Sequence, residues 1–385
     1  MATAANCRIA MEAISPARLS GAAAGSRATD VAIRNMCRSQ AMPGRIRVTF
    51  EREPDFSLGC RVAGEDCQIL VARAEGDGTL AGVACRSARR LYVNGREERL
   101  GYLSQLRVAP EFQGRWLVAR GFRLLKELHD ADPVAGYLAV IVEGNDEAEG
   151  VLVRNRRKGF PTFYSVAEIC TLATFVRGAG KTHACYASVT GASEFDLANV
   201  AAFLRDQGAR RQFFPVWTEE KLRALSAFGL HAEDVRIARR EGRIVGVAAL
   251  WDQSGYKQTV VQSYSGWLKV AAPVYNSIAP WTRRSALPRP GEKLLCAYAA
   301  LVCVCNDDKS IFHLLMQELH SLARSRNFRY VLLGMDASDP LCAVAREFKH
   351  VAYASRMYLV GWTEEGGGLH ERLDGRPMYA DIATL

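Results

Sequence analysis

Apolar positions change their period several times along this chain, and each change marks an element. Ile46, Val48 and Phe50 alternate with polar residues, the two-residue period of a half-buried strand. Residues 68–73 and 80–85 predict two further strands, separated by the turn sequence Glu75-Gly76-Asp77-Gly78. Another strand is predicted over 102–108, where Pro110 closes it. Leu117, Gly121, Leu124, Leu125 and Leu128 then recur at helical spacing, which predicts a helix over 114–129. Residues 137–142 are apolar throughout, as in a strand covered on both faces. Strand, helix and strand in this order make a right-handed parallel crossover.

The pattern returns downstream. Residues 297–305 and 330–333 read as strands. Between them Ile311, Leu315, Leu319 and Leu322 lie on one face of a helix over 310–323. The offset of about 190–195 residues is too long for a solenoid repeat and suits duplicated domains. The expected fold class is α/β, with an α+β mixed sheet in each of two modules and helices flanking it. The modules are expected at 45–177 and 194–385, joined by a polar, glycine-bearing linker over 178–193. A proline-rich insertion near 268–290 interrupts the second, and Tyr264, Trp267, Tyr275 and Trp281 crowd that part. Residues 1–44 carry Ala, Ser, Gly and scattered Arg with almost no acid, so a disordered tail is expected, with an organelle transit peptide as the alternative.

Composition narrows the function classes. The chain has 385 residues, 49% hydrophobic and 24% charged, which suits two or three globular domains. No apolar run is long enough to cross a bilayer, and the N-terminus does not read as a secretory signal, so a cytoplasmic protein without membrane partners is expected. The formal net charge of +9 favours anionic ligands. There is no zinc finger or RNA-binding aromatic motif, so nucleic acid is not an expected partner. The eleven cysteines form no CxxC pair; small buried hydrophobes in a reducing compartment are expected, and no metal site.

The chemistry concentrates between Val108 and Val118. A strand ends, Pro110 turns the chain, and a helix begins. The first amides of such a helix have no intrahelical partner and form an anion site. Arg115, Arg120 and Arg123 add positive charge where the helix dipole alone would favour acid. The second half reads differently: Asp307 and Asp308 stand at the equivalent helix start, where they cap it and repel a phosphate.

Val108, Pro110, Phe112, Gln113, Gly114 and Leu117 resemble the V-x-P-x-[YF]-[RQ]-G-x-G-[IL]-G motif of the GNAT N-acyltransferase superfamily. Asn145, Ala148 and Gly159-Phe160 echo its downstream motif. The resemblance covers residues 45–177 and extends weakly to the second half. It implies an acyl-CoA co-substrate, acetyl-CoA in the first instance, without a metal. The donor's pyrophosphate would lie at Gln113, Gly114, Arg115, Leu117, Val118 and Arg120. Its pantetheine would lie between two splayed strands, along Leu106 and Val108 and near Asn145.

Departures from the motif are specific. Trp116 and Val118 stand where the family uses small residues to bring backbone close to phosphate. Gln105 and Asn155 replace a frequent Glu base and Tyr acid, and an amide side chain is not an ionisable substitute. Glu143, Tyr164 and Tyr102 are the remaining candidates for proton transfer. The resemblance implies transfer to an amine of a small molecule or peptide. Two alternatives stand beside it: a catalytically inactive protein that binds a ligand or partner, and an enzyme whose donor rides on an acidic carrier protein.

Overall fold

The computed structural model describes residues 8–385 apart from 22, 43, 45, 115, 155–158, 177–184, 279–286 and 363–367. Strand β1 (Ile9–Ile14) leads into helices α1 (Pro16–Leu19) and α2 (Ala24–Ser39), then β2 (Ile46–Glu51) and α3 (Phe56–Ala63). A meander follows: β3 (Asp66–Ala74), β4 (Leu80–Val93) and β5 (Arg96–Val108). Helix α4 (Leu117–Ala131) then crosses over to β6 (Tyr137–Val142), and the short α5 (Asp146–Ala148) precedes β7 (Thr162–Phe175).

The second half opens with β8 (Ser188–Gly191), α6 (Leu197–Gly208) and α7 (Glu219–Ala224). Its meander is β9 (Val235–Arg240) and β10 (Arg243–Trp251), followed by β11 (Gln258–Tyr264) and α8 (Leu268–Ile278). The crossover repeats as β12 (Cys296–Val304), α9 (Lys309–Ser325) and β13 (Tyr330–Asp336). Helix α10 (Pro340–Ala345) and strand β14 (His350–Gly361) follow.

Both predicted crossovers are present. β5 runs parallel to β6 through Gly101, Tyr102 and Leu103, and β12 runs parallel to β13 through Cys296, Ala297 and Tyr298. Each pair then diverges. Just beyond the last paired residue, each strand carries an extra residue with left-handed backbone: Gln105 at φ 57° and Leu301 at φ 54°. The ladders to β4 and β10 shift register at these same points. A bulge leaves its strand locally unpaired and increases its twist. The same distortion at the same place in both halves is the clearest mark of duplication.

The halves share one mixed sheet. Its strand order is β1-β3-β4-β5-β6-β14-β7-β13-β12-β10-β9-β8, while β2 and β11 pair separately. The final strands are exchanged. β14 lies between β6 and β7, antiparallel to both, and β7 reaches across to pair with β13. One sheet thus takes strands from both sides of the segment read as a linker. Part of that segment, Ser188–Gly191, is itself an edge strand on β9.

The segment read as a disordered tail is folded from Arg8 onward. β1 pairs with β3 along Ile9 to Ile14, and α2 buries Ile33, Met36 and Cys37. Asp30 on α2 accepts from the Phe56 amide at 3.0 Å. Alanine is the best helix former, so the same composition that looks unstructured by charge and polarity favours α2 once a face has something to pack against. The proline-rich insertion contains α8, with Pro273 inside it. Trp281 lies outside the described residues. None of the ten described cysteines is in a disulfide, and seven are buried. No cluster of three or more potential metal ligands occurs among the described residues. No helix among them is long and apolar enough to cross a membrane.

Candidate functional site

The divergence of β5 from β6 opens a cavity of about 350 Å³. That is the size class of sites that hold a small molecule or cofactor arm. Leu117, Val118, Gly121, Phe122 and Leu125 of α4 line it. So do Tyr298, Lys257, Ile382 and Leu385, all from the second half. The lining is largely apolar and contains no Asp or Glu among the described residues.

Gly101 fixes where the strands part. A Cβ there would lie 2.1 Å from the Tyr137 ring, so only glycine lets the two strands approach at the base of the splay. Above it, β6 no longer pairs with β5, and the β5 backbone from Ser104 onward is left without this neighbour. A ligand carrying amide groups can take its place by hydrogen bonding to the strand edges.

The start of α4 lies beside the cavity. No side chain caps it, and Trp116 at the N-cap adopts left-handed backbone (φ 57°, ψ 14°). The turn thus has the backbone form that glycine would supply, with a tryptophan in its place. Trp116 is 64% exposed, so it is not a buried cap packed on the helix start.

The second divergence is closed. Met378, Tyr379, Ala380 and Asp381 lie against Ala299, Cys303, Leu333 and Gly334, leaving only about 20 Å³. Ile382 sits so close to Gly334 that a Cβ there would lie 2.2 Å from it. The buried Asp381 carboxyl is held by the Ala383 and Leu301 amides, and burial raises its pKa. At the start of α9, Asp308 caps the Ser310 and Ile311 amides at 2.9 and 3.2 Å. Asp307 and Asp339 both pair with Arg211. Every feature that is open in the first half is thus occupied by the chain itself in the second.

The candidate residues divide by position. Leu106, Val108, Leu117, Val118, Asn145 and Tyr102 line the cavity. Asn145 also caps α5, accepting from the Ala148 amide at 3.2 Å. Gln113 and Gly114 are exposed on the turn before α4 and outside the lining. Arg115 lies outside the described residues, as does Asn155. Arg120 is exposed, and its guanidinium donates to the Ile9 carbonyl of β1. Two catalytic candidates are not brought to the cavity. Glu143 is exposed at the end of β6, where its amide bonds to the Ala354 carbonyl. Tyr164 stacks on His370, ring centroids 3.4 Å apart. The inserted β14 separates β7 from β6 and so removes Tyr164 from the splay.

Tyr102 is buried at the cavity wall, and desolvation pushes its pKa up to about 12, against the opposing pull of Arg89 and Arg52. Sequence reasoning missed Arg52 and Lys257. Arg52 is only 6% exposed and lines the cavity. Its one described side-chain hydrogen bond runs to the Glu51 carbonyl, at 3.0 Å. Lys257, partly buried, donates to the Ile382 carbonyl at 3.1 Å and to the main-chain oxygen of Leu385, the last residue of the sequence, at 3.3 Å, and its ammonium lies 4.6 Å from the Tyr298 ring centre. Desolvation, reinforced by the Arg52 charge, lowers its pKa to about 7. Neither residue sits in a motif; each becomes significant only where segments from both halves meet.

No protein-family model matches this sequence, and no curated protein matches it. Solved structures do match. N-myristoyltransferase of Saccharomyces cerevisiae with bound myristoyl-CoA is similar at TM-score 0.60 and 10% identity, over 96% of this chain and 89% of that one. A GCN5-related N-acetyltransferase from Sphaerobacter thermophilus is similar at TM-score 0.52 and 13% identity, over 98% of both chains. A GCN5-related glucosamine N-acetyltransferase region of a fungal multi-domain β-N-acetylglucosaminidase gives TM-score 0.59 at 12% identity, over 93% of this chain and 38% of that one. The chain has a GNAT-like fold, matched along nearly its whole length.

Proposed function

We propose that this protein is an N-acyltransferase that takes an acyl-CoA donor into the β5–β6 cavity and transfers its acyl group to an amine. The observation that carries this reading is the asymmetry between two duplicated sites. One divergence is open, apolar and bordered by an uncapped helix start. Its counterpart is filled by the C-terminal segment and capped by acid.

In this reading the pyrophosphate lies at the start of α4, near Gln113, Gly114, Arg115, Leu117, Val118 and Arg120. Pantetheine runs along Leu106 and Val108 past Asn145. The amine nitrogen forms a bond to the thioester carbon, the C–S bond breaks, the thiolate takes a proton, and the proton lost by the nitrogen passes through water to replace the one given to sulfur. Tyr102, neutral at pH 7 and set in the wall, is the proposed donor of that proton. No Asp or Glu lines the cavity among the described residues, although Leu385, the last residue of the sequence, does, with its main-chain oxygen 3.3 Å from the Lys257 ammonium. The cationic pair Arg52 and Lys257 instead disfavours a third positive charge and so favours the neutral, nucleophilic form of the amine.

The apolar lining continues to Met11, Met42 and Phe50, which favours an acyl group longer than acetyl. Calorimetry with coenzyme A and an acyl-CoA series of increasing chain length tests the reading. Affinity should rise with chain length, each buried methylene adding about 0.8 kcal/mol until the cavity is full. No binding of any member would leave an inactive GNAT-like protein as the better reading.

A further inference from the structure

Three cysteines meet between α3 and the sheet, beside the cavity but outside the reaction drawn above. Cys60 lies on α3, Cys67 on β3 and Cys85 on β4. Across the antiparallel β3–β4 ladder Cys67 is opposite Ser87 and Ile69 is opposite Cys85, so Cys67 and Cys85 are diagonal neighbours on one face of the sheet. The Cys60 sulfur lies 3.5 Å from that of Cys85. The elements that carry this contact are fixed against each other. A Cβ on Gly64, just past α3, would lie 2.8 Å from the Ala88 carbonyl oxygen of β4, so glycine lets the chain leave α3 close against the strand. The next amide, that of Glu65, donates to the same carbonyl at 3.1 Å.

The three thiols are not equivalent. Neighbouring sulfurs, together with burial, push the pKa values of Cys60 and Cys85 well up. Cys67 moves the other way: hydrogen bonds from Cys60 and then Cys85 stabilise its thiolate and lower its pKa against the effect of burial. The thiolate is the reactive form of cysteine, and a thiol of lower pKa also leaves a disulfide faster. All three sulfurs border a chamber of about 20 Å³, the size of one water, which suits only the smallest polar reactants. Cys85 also lines the large cavity and pairs with Ser104, directly before the bulge at Gln105.

We propose that Cys60, Cys67 and Cys85 form a redox site that reduces hydrogen peroxide and closes a Cys60–Cys85 disulfide between α3 and the cavity wall. The site stands independently of the acyltransferase reading. The Cys67 thiolate attacks one peroxide oxygen, the O–O bond breaks, and the departing hydroxide takes a proton to become water. The Cys60 sulfur then attacks the sulfenic acid; an S–S bond forms, the S–O bond breaks, and the Cys60 proton leaves with the hydroxyl as a second water. Cys85 attacks Cys60 in turn and expels Cys67, the better leaving group. The proton released by Cys85 replaces the one taken by the hydroxide. Two thiols are thus oxidised to one disulfide, and one peroxide is reduced to two waters. The Cys60–Cys85 contact shortens from 3.5 Å to a bond of about 2.0 Å, which draws β4 toward α3 beside the bulge.

Arg61, Arg73 and Arg86 place the three cysteines on separate tryptic peptides, so the bond can be read directly. The reduced full chain is treated with a few equivalents of hydrogen peroxide, alkylated and digested. The expected product is the Cys60–Cys85 peptide pair, absent before treatment and lost on reduction with dithiothreitol. Dimedone should label Cys67 ahead of the other two, which tests the order of events without any variant. Cys67→Ser should slow the pair's formation at least about tenfold, and Cys85→Ser should trap the Cys60–Cys67 pair instead. Thermal melting reports whether each variant is folded. Coenzyme A affinity should fall at least about threefold on oxidation of the wild type and recover on reduction. No disulfide among these cysteines, or dimedone labelling that starts elsewhere, overturns the proposal. A pair formed as fast in folded Cys67→Ser overturns the role of Cys67. Unchanged coenzyme A affinity in the cross-linked chain overturns the link to the cavity. Absence of coenzyme A binding even in the reduced chain counts against the acyltransferase reading, while the peptide map still decides the redox site.

Discussion

Trp116 shows how much a single backbone angle decides. Trp116, at φ 57°, carries a left-handed backbone strain of about 1–2 kcal/mol in a turn where glycine would carry little. Trp116→Gly should therefore be tolerated, with a change in stability within about 1 kcal/mol, because relief of strain is offset by a freer unfolded chain. Because Trp116 is largely exposed, the variant should bind coenzyme A within about threefold of the wild type; a larger change, measured by calorimetry, would show that the indole touches the ligand. A second residue-scale effect concerns His320. It is buried on α9, hydrogen-bonded to Thr174 at 2.8 Å, near Phe348. Burial, with Arg324 and His313 nearby, lowers its pKa to about 4 from 6.5. The unfolded chain takes up this proton first as pH falls. Stability from this group is complete above pH 6.5 and declines as pH drops toward 4, by on the order of 3 kcal/mol. Urea unfolding of the wild type and of His320→Gln at pH 7 and pH 4.5 should show a shallower acid loss in the variant.

At the scale of elements, the two helix starts form a controlled contrast. α4 has no side-chain cap, whereas α9 has Asp308 on two of its first amides. Asp308 also pairs with Arg240 at 3.1 Å, on a partly exposed surface. Asp308→Ala should cost about 1 kcal/mol, almost all of it from the lost cap, since an exposed ion pair contributes little. Denaturant titration measures this, and a variant as stable as the wild type would show that the cap is dispensable. The contrast was legible in sequence because capping is local: the residues that make it lie within a turn of each other. β1 and α2 were not legible for the opposite reason. Their stability comes from β3 and from the core beneath α2, and nothing in residues 9–39 alone announces those partners.

The whole molecule is held together by the exchange of its last strands. β6 has β14 as its neighbour on the side away from β5, and β7 is enclosed by β14 and β13. Each half therefore needs the other to cover an apolar strand edge, which makes an isolated half aggregation-prone. Residues 1–187 expressed alone should lack a cooperative melting transition, and co-expression with 188–385 should restore one. An isolated first half that melts like the intact chain would show the exchange to be unnecessary for folding.

What the sequence by itself determined is what short-range periodicity and end chemistry encode: the two parallel crossovers, their repetition, and the difference between an Arg-rich and an Asp-rich helix start. Those patterns need only a few residues in register, so they survive reading in one dimension. The strand exchange, the closed second divergence and the meeting of Arg52 and Lys257 at one cavity belong to tertiary structure alone. Arg52 and Lys257 stand about two hundred residues apart in sequence, and no local pattern links them. Glu143 and Tyr164 were chosen for their chemistry, but whether a side chain reaches the cavity depends on which strand lies beside its own. That neighbour, β14, arrives from the far end of the chain, and its pairing is set by burial of both strand edges rather than by any signal near residues 143 or 164.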